Sequence, residues 1–221
     1  MTFGVLGTGM VGKALSGKLA GLGHEVMMGT RAADNADVQT WIASSGSGIR
    51  LGSFSEAAAF GETLVTCTAG TTSLQVLRSL ARKDLAGKLL IDVSNPLDFS
   101  KTPAVLTICN SDSLGETIQR EFPELRVVKA LNTCNCRVMV DPGRVPGEHD
   151  LFLAGNDSDA KAQVTSLLRT FGWRSILDIG DITGARATES MMLIWLRLYG
   201  KFASADLNYR IVRPPAEASA K

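Results

Sequence analysis

Gly7-Thr8-Gly9-Met10-Val11-Gly12 has the residue types and spacing to hold a phosphate. The G-x-G-x-x-G pattern directly follows a short apolar run, TFGVLG. It opens MVGKALSGKLAGLG, where Val11, Ala14, Leu15, Leu19 and Leu22 recur at helical spacing and Gly23 stops the helix. That strand-loop-helix setting gives the motif its meaning. Gly7 permits a tight turn, Gly9 lets the backbone approach a pyrophosphate, and Gly12 lets the helix pack closely on the strand. The free N–H groups of residues 9 to 12 and the helix dipole attract the anion.

A second cluster stands at the tip of the next strand, GHEVMMGTR. An NAD-selective domain carries an acid here for the ribose hydroxyls. In this chain Gly29 stands in the acid's place and is expected to vacate that space, followed by Thr30 and Arg31. Thr30 offers a hydroxyl and an N–H, and Arg31 a planar, permanently charged fork that suits a 2′-phosphate. The expected cofactor is therefore NADP(H).

Hydride transfer needs a second site beyond the carboxyl ends of the strands. Thr68-Ala69-Gly70, Ser94-Asn95-Pro96 and Leu131-Asn132-Thr133 arrive there, small and polar as a flat ring system requires. A general acid or base is harder to find. Lys129 is the one ionisable candidate beside the site, with a strand-end charge as its plainer role. His24 lies at the wrong edge, and His149 falls in the polar loop PGEHD, where solvent exposure is expected. A site without a clear acid favours an acceptor with its own redox chemistry. Cys67, Cys109, Cys134 and Cys136 are expected to be reduced, small buried thiols, because a C-x-C pair without further ligands makes no zinc site. No metal is expected.

These residues must be positioned by a larger frame. The 221 residues carry 23 basic and 22 acidic side chains, net +1, which suits one substantial domain and argues against a nucleic-acid surface. Arg197, Lys201, Arg210 and Arg213 form a solvated group. No signal peptide or membrane span is expected, so the location expected is the cytoplasm. Eight strand-like runs alternate with helical segments. They are TFGVLG, EVMMG, IRLGSF, ETLVTCTAG, KLLIDVSNP, RVVKALNT, DLFLAG and WRSILDIG. The alternation predicts a Rossmann-type, doubly wound α/β fold with a mostly parallel sheet of about eight strands and a small C-terminal helical part. Asp34 is a candidate cap for the second helix and Ser55 for the third, while residues 100–115 form a looser connection. The division expected is an NADP-binding domain with the extended sheet over 1–180 and a helical segment over 181–221 that covers the acceptor site. In that segment a helix from Thr183 to about Leu207 is apolar on two sides, which predicts a homodimer contact, with a helix threaded through the monomer's own core as the alternative.

GTGMVGKALSGKLAGLGHEVMMGTR, DVSNPLD, VVKALNT, and AGNDSDAKAQVTSLLRTFGW with GDITGARATE resemble the NADPH:coenzyme F420 oxidoreductases and their bacterial relatives over nearly the whole chain. The domain is also similar to the cytosolic part of the STEAP ferric reductases. The resemblance implies hydride exchange between NADPH and a deazaflavin, coenzyme F420, or a flavin. By it Thr8, Met10 and Val11 touch the cofactor and Thr30 and Arg31 hold the 2′-phosphate. Thr68 and Ala69 lie near the nicotinamide, and Asn95, Leu97 and Cys136 near the stacked rings. The archaeal enzymes have a Pro-Trp type pair where this chain has Ala69-Gly70, and His-Thr where it has Asn132-Thr133. Both changes lie beside the acceptor. The alternatives are reduction of a small imine or carbonyl compound, with Lys129 or a water chain giving the proton, and a non-catalytic NADP(H)-binding redox sensor.

Overall fold

The computed structural model describes residues 1–32, 36–45 and 48–214. The chain runs β1 (Thr2–Leu6), α1 (Met10–Gly21), β2 (Glu25–Thr30), α2 (Ala36–Ser44), β3 (Ile49–Ser53), α3 (Phe54–Phe60), β4 (Thr63–Thr66), α4 (Gly70–Arg78) and β5 (Leu89–Asp92). It continues through β6 (Leu97–Asp98), β7 (Val105–Leu106), α5 (Leu114–Glu121), β8 (Arg126–Ala130), α6 (Cys136–Val140), β9 (Asp150–Gly155), α7 (Ser158–Phe171), β10 (Ser175–Asp178) and α8 (Ala185–Phe202).

Runs such as TLVT and LLID are buried along their whole length, as central strands covered on both faces must be. All eight expected strands join one sheet, in the order β10-β9-β8-β5-β4-β1-β2-β3. Neighbours pair parallel except β8 with β9, so β9 and β10 run against the other six. One core lies between the sheet and α1, α6 and α7, built on Phe3, Val5, Leu15, Val164 and Trp173. The other lies beneath α3, α4 and α5, around Leu64, Leu77, Leu90, Leu114 and Ile118. Helices therefore cover both faces, the doubly wound arrangement.

Helix ends follow the local chemistry. Gly23 lies just past α1 with φ +84°. Asp157 caps α7, and Gly172 ends it in the left-handed conformation. The cap of α3 is Ser53 and not Ser55: Ser53 and Glu56 make a reciprocal capping box. Asp34 lies outside the described residues. Within 100–115 the chain is less loose than expected, because β7 pairs back on β6. The last helix is shorter than expected. It stops at Phe202, and residues 203–214 turn back along the start of β9, where Asp150 N–H donates to Tyr209 O and Ile211 N–H to the Asp150 carboxylate. Ser113 caps α5, and α8 lies against α5 and β9.

Candidate functional site

The loop between β1 and α1 is built as an open cradle. Gly7 has φ +127° and lies against the Cys67 carbonyl. A Cβ on Gly12 would stand 2.1 Å from Gly7 O, so helix and loop touch only because that residue is glycine. Gly9 is different: nothing lies within 4 Å of where its Cβ would be. The N-terminus of α1, a helix of 12 residues, has no side-chain cap and no acid in its first turn. Its first N–H groups thus have no side-chain partner at the positive end of the helix dipole. Thr8 is half-buried and Met10 exposed.

At the tip of β2 the structure corrects one inference. A Cβ on Gly29 would crowd Ala57 Cβ and Phe54 Cδ1, both at 3.0 Å. Gly29 is a glycine because α3 packs on it, so this position faces α3 instead of vacating space for a ligand. Thr30, buried, accepts a hydrogen bond from Ala32 N–H (3.4 Å), and Arg31 is exposed.

The strand ends at β4, β5 and β8 converge beside the loop. Thr68 Oγ1 lies 2.9 Å from Ser73 Oγ, and Ala69 is the exposed residue at the start of α4. Asn95 Nδ2 donates to Asn132 O (2.8 Å), and Asn132 Nδ2 donates to Asn95 Oδ1 (2.9 Å). This amide pair leaves Asn132 Oδ1 and Thr133 Oγ1 buried without a partner. Such atoms are costly unless a ligand or water satisfies them. The preceding Leu131 has φ +62°, a conformation that a bulky side chain disfavours by about 1–3 kcal/mol and that clusters at functional sites. Leu97 and Cys136 are half-buried nearby in sequence, Leu97 on β6 and Cys136 at the start of α6. The open cradle and the orphaned polar atoms fit a dinucleotide with a ring system at the strand ends.

Beneath these loops lies a charge cluster. Lys129 Nζ has no accessible surface. It pairs with Asp92 (2.8 Å) and Glu189 (2.8 Å) and donates to Ser94 O. Asp92 Oδ1 also accepts from Thr66 Oγ1 (2.6 Å), Ser94 N–H (3.1 Å) and Ser94 Oγ. Glu189, from α8, accepts the N–H groups of Leu114 (2.9 Å) and Gly115 (3.0 Å) at the start of α5. Burial alone would lower the Lys129 ammonium, but the Asp92 and Glu189 charges hold it above its usual range. Burial alone would raise the Asp92 carboxyl; the Lys129 charge, with hydrogen bonds from Lys129, Ser94 and Thr66, holds it below. The Lys129 ammonium is shielded from the cleft, with Asp92, Glu189 and Ser94 O as its three partners. Sequence reading missed Asp92 and Glu189. The available signals were an Asp ending an apolar strand and a Glu on the same helical face as Met192 and Trp195.

His24 packs 5.2 Å from the Phe3 ring at the far edge, where burial and the N-terminal charge lower its pKa. His149 is pinned instead of solvent-exposed: Nε2 lies 3.0 Å from Pro142 O and Nδ1 2.8 Å from Asn208 Nδ2. The four cysteines are free, Cys134 buried and Cys109 exposed, and burial pushes the Cys67 and Cys134 thiols up. Among the described residues no cluster could hold a metal, and no helix is long and apolar enough to cross a membrane. Two cavities, of about 640 and 430 Å³, are lined by residues from the opposite end of the sheet, Arg126 and Asn156 in one and Phe3, Thr63 and Leu89 in the other.

Comparison with known proteins agrees with this geometry. Residues 2–96 match the family described as NADP oxidoreductase, coenzyme F420-dependent. A crystal structure from Arthrobacter sp. FB24, provisionally assigned as an F420-dependent NADP-reductase, is 44% identical. It superposes with a TM-score of 0.91 over 96% of this chain and 99% of that one. The F420-dependent NADP reductase of Methanocaldococcus jannaschii is 24% identical over 71% of this chain and 70% of its own length. The metalloreductase STEAP3 of Rattus norvegicus is 28% identical over 86% of this chain, which spans only 36% of that protein. The chain belongs to the coenzyme F420-dependent NADP oxidoreductase family and is an NADP-dependent oxidoreductase that uses NADP(H).

Proposed function

We propose that this protein exchanges hydride between NADP(H) and a deazaflavin, coenzyme F420, or a flavin-type acceptor. The carrying observation is that Lys129, the one ionisable side chain expected beside the cleft, is buried and saturated by Asp92, Glu189 and Ser94. Imine or carbonyl reduction would need a positioned acid. Bound NADPH would supply a hydride, which a deazaflavin or flavin ring could accept without a positioned protein acid. The chain's task is then to bind and orient. In this reading Gly7, Gly9 and Gly12 shape the loop, and the N–H groups at Gly9, Met10, Val11 and Gly12 hold the pyrophosphate beside Thr8. Thr30 and Arg31 hold the 2′-phosphate. Thr68 and Ala69 border the nicotinamide, while Asn95, Leu97, Asn132, Thr133 and Cys136 border the acceptor. The relatives' names support F420 as that acceptor. The same reading takes residues 1–180 as the NADP-binding unit and 181–221 as a helical segment through which two copies associate in the cytoplasm.

The test follows NADPH oxidation by absorbance with F420, with FMN, and with small carbonyl and imine compounds. Turnover with F420 or FMN alone is expected. Turnover confined to carbonyl or imine compounds overturns the reading, and tight NADPH binding with no turnover on any acceptor assigns the protein a sensing role instead.

A further inference from the structure

We propose that the buried Asp92–Lys129–Glu189 cluster sets the preference of the nicotinamide end of the site for oxidised over reduced cofactor. The inference rests on the NADP(H) reading above. The cluster joins two carboxylates to one ammonium, all three side chains with at most 2% of their surface exposed. Its excess charge is therefore negative and lies where water does not screen it. Its position is equally specific. Thr66 ends β4 just before Thr68-Ala69, Ser94 opens the loop carrying Asn95, and Lys129 precedes Leu131-Asn132-Thr133 on β8. Each of the three loops assigned to the ring end is thus tied to the cluster from below. The phosphate cradle at β1 and the Thr30-Arg31 tip of β2 contribute none of these contacts.

Oxidised nicotinamide carries a positive charge that the reduced ring lacks, and the rest of the cofactor is the same in both forms. A buried negative charge near the ring end favours the oxidised form, which makes bound NADPH a stronger hydride donor. The two electrons and the hydride's proton pass to the deazaflavin or flavin acceptor. A unit charge at a distance on the order of 10 Å, through an effective dielectric of about 20, shifts an equilibrium by roughly tenfold or more. The α5 N–H groups and the Thr66 and Ser94 hydroxyls offset part of this.

The readout is the ratio of the dissociation constants for NADP+ and NADPH, measured by calorimetry on the purified chain. Common contacts cancel in that ratio, and a general loss of stability does not move it. Glu189→Gln removes one negative charge at constant shape and should raise the ratio at least about threefold, equivalent to about 14 mV for a two-electron couple. Thr66→Val removes a hydroxyl that compensates Asp92 and should lower the ratio, by about twofold. A folded Glu189→Gln protein with a ratio within about 1.5-fold of the parent overturns the proposal. Should that variant fail to fold, an unchanged ratio in Thr66→Val does so. A parent protein that binds neither form overturns the cofactor reading itself. A parent that binds both, with the variants' ratio unchanged, overturns only the role of the cluster.

Discussion

Single residues divide into those whose task depends on their immediate neighbours in sequence and those whose task depends on the fold. Arg31 belongs to the first kind. It is exposed next to Thr30, the last residue of β2. A charge-assisted hydrogen bond contributes about 1.5–3 kcal/mol, so Arg31→Ala should weaken NADPH binding roughly tenfold to a hundredfold and NADH binding little. Titration with the two cofactors checks this, and equal losses for both would remove the 2′-phosphate role. Gly29 and Lys129 belong to the second kind. That Gly29 faces Phe54 and Ala57 depends on how α3 folds over β2, which no local pattern encodes. The partners of Lys129 come from β5 and α8, far away in sequence. Removing one partner of a buried pair strands the other charges, so Lys129→Met should cost about 3–5 kcal/mol near neutral pH. The pH dependence follows from the two shifts. Asp92 is depressed, so its contribution is present above the usual carboxylate value of about 4 and lost as pH falls through the native value. Lys129 is raised, so its contribution is present below about 10 and lost as pH rises through the native value. In the variant the stranded Asp92 and Glu189 carboxyls take up protons more readily, so the difference in urea midpoint between parent and Lys129→Met should shrink steadily as pH falls from neutral into acid. A difference that grows in acid would show that the Asp92–Lys129 pair does not carry that stability.

At the scale of elements the sequence was most legible where one periodicity ran unbroken. All eight strands were recognisable because β-branched and apolar runs ended at glycine, proline or polar clusters. The reversed direction of β9 and β10 was not, since a buried strand has the same composition whichever way it runs. The β6–β7 hairpin pairs only two residues a side, and α6 has five residues, too few for either periodicity to register. The start of α3 was misplaced because Ser53 and Ser55 both precede the alanines, and only Ser53 has an acid three residues on. That spacing closes the capping box: Glu56 N–H donates to Ser53 Oγ (3.2 Å) and Ser53 N–H to Glu56 Oε2 (2.7 Å). Ser53→Ala should therefore cost about 1 kcal/mol, whereas Ser55→Ala should cost almost nothing. Thermal unfolding of the two variants separates them, and equal costs would mean that the box does not hold α3 in solution.

At the scale of the whole molecule, an apolar surface on α8 has no covering element among the described residues. On α8 the line Ala185, Thr188, Met192 and Trp195 is buried against the protein, and Glu189 on the same side reaches Lys129. Leu193, Ile194, Tyr199 and Phe202 remain exposed, as do Ile211 and Val212 in the returning tail. Met192 and Trp195 are thus buried together, and among the described residues no element covers the exposed apolar side chains of this helix. The proposed dimer would use these exposed apolar groups, on α8 and in the tail that follows it, as its association surface. A second copy is the simplest occupant, because the same patch on both partners is self-complementary in a two-fold dimer. Sedimentation equilibrium at micromolar concentration should give twice the 23.5 kDa chain mass. Placing charges on the exposed side, with Ile194→Glu and Phe202→Lys together, should give the chain mass while NADPH binding persists, since the cradle at Gly9 and the Arg31 tip lie on other elements. A parent protein that sediments as a monomer would show that α8 keeps its second face in solvent, and a double variant that stays dimeric would place the contact elsewhere.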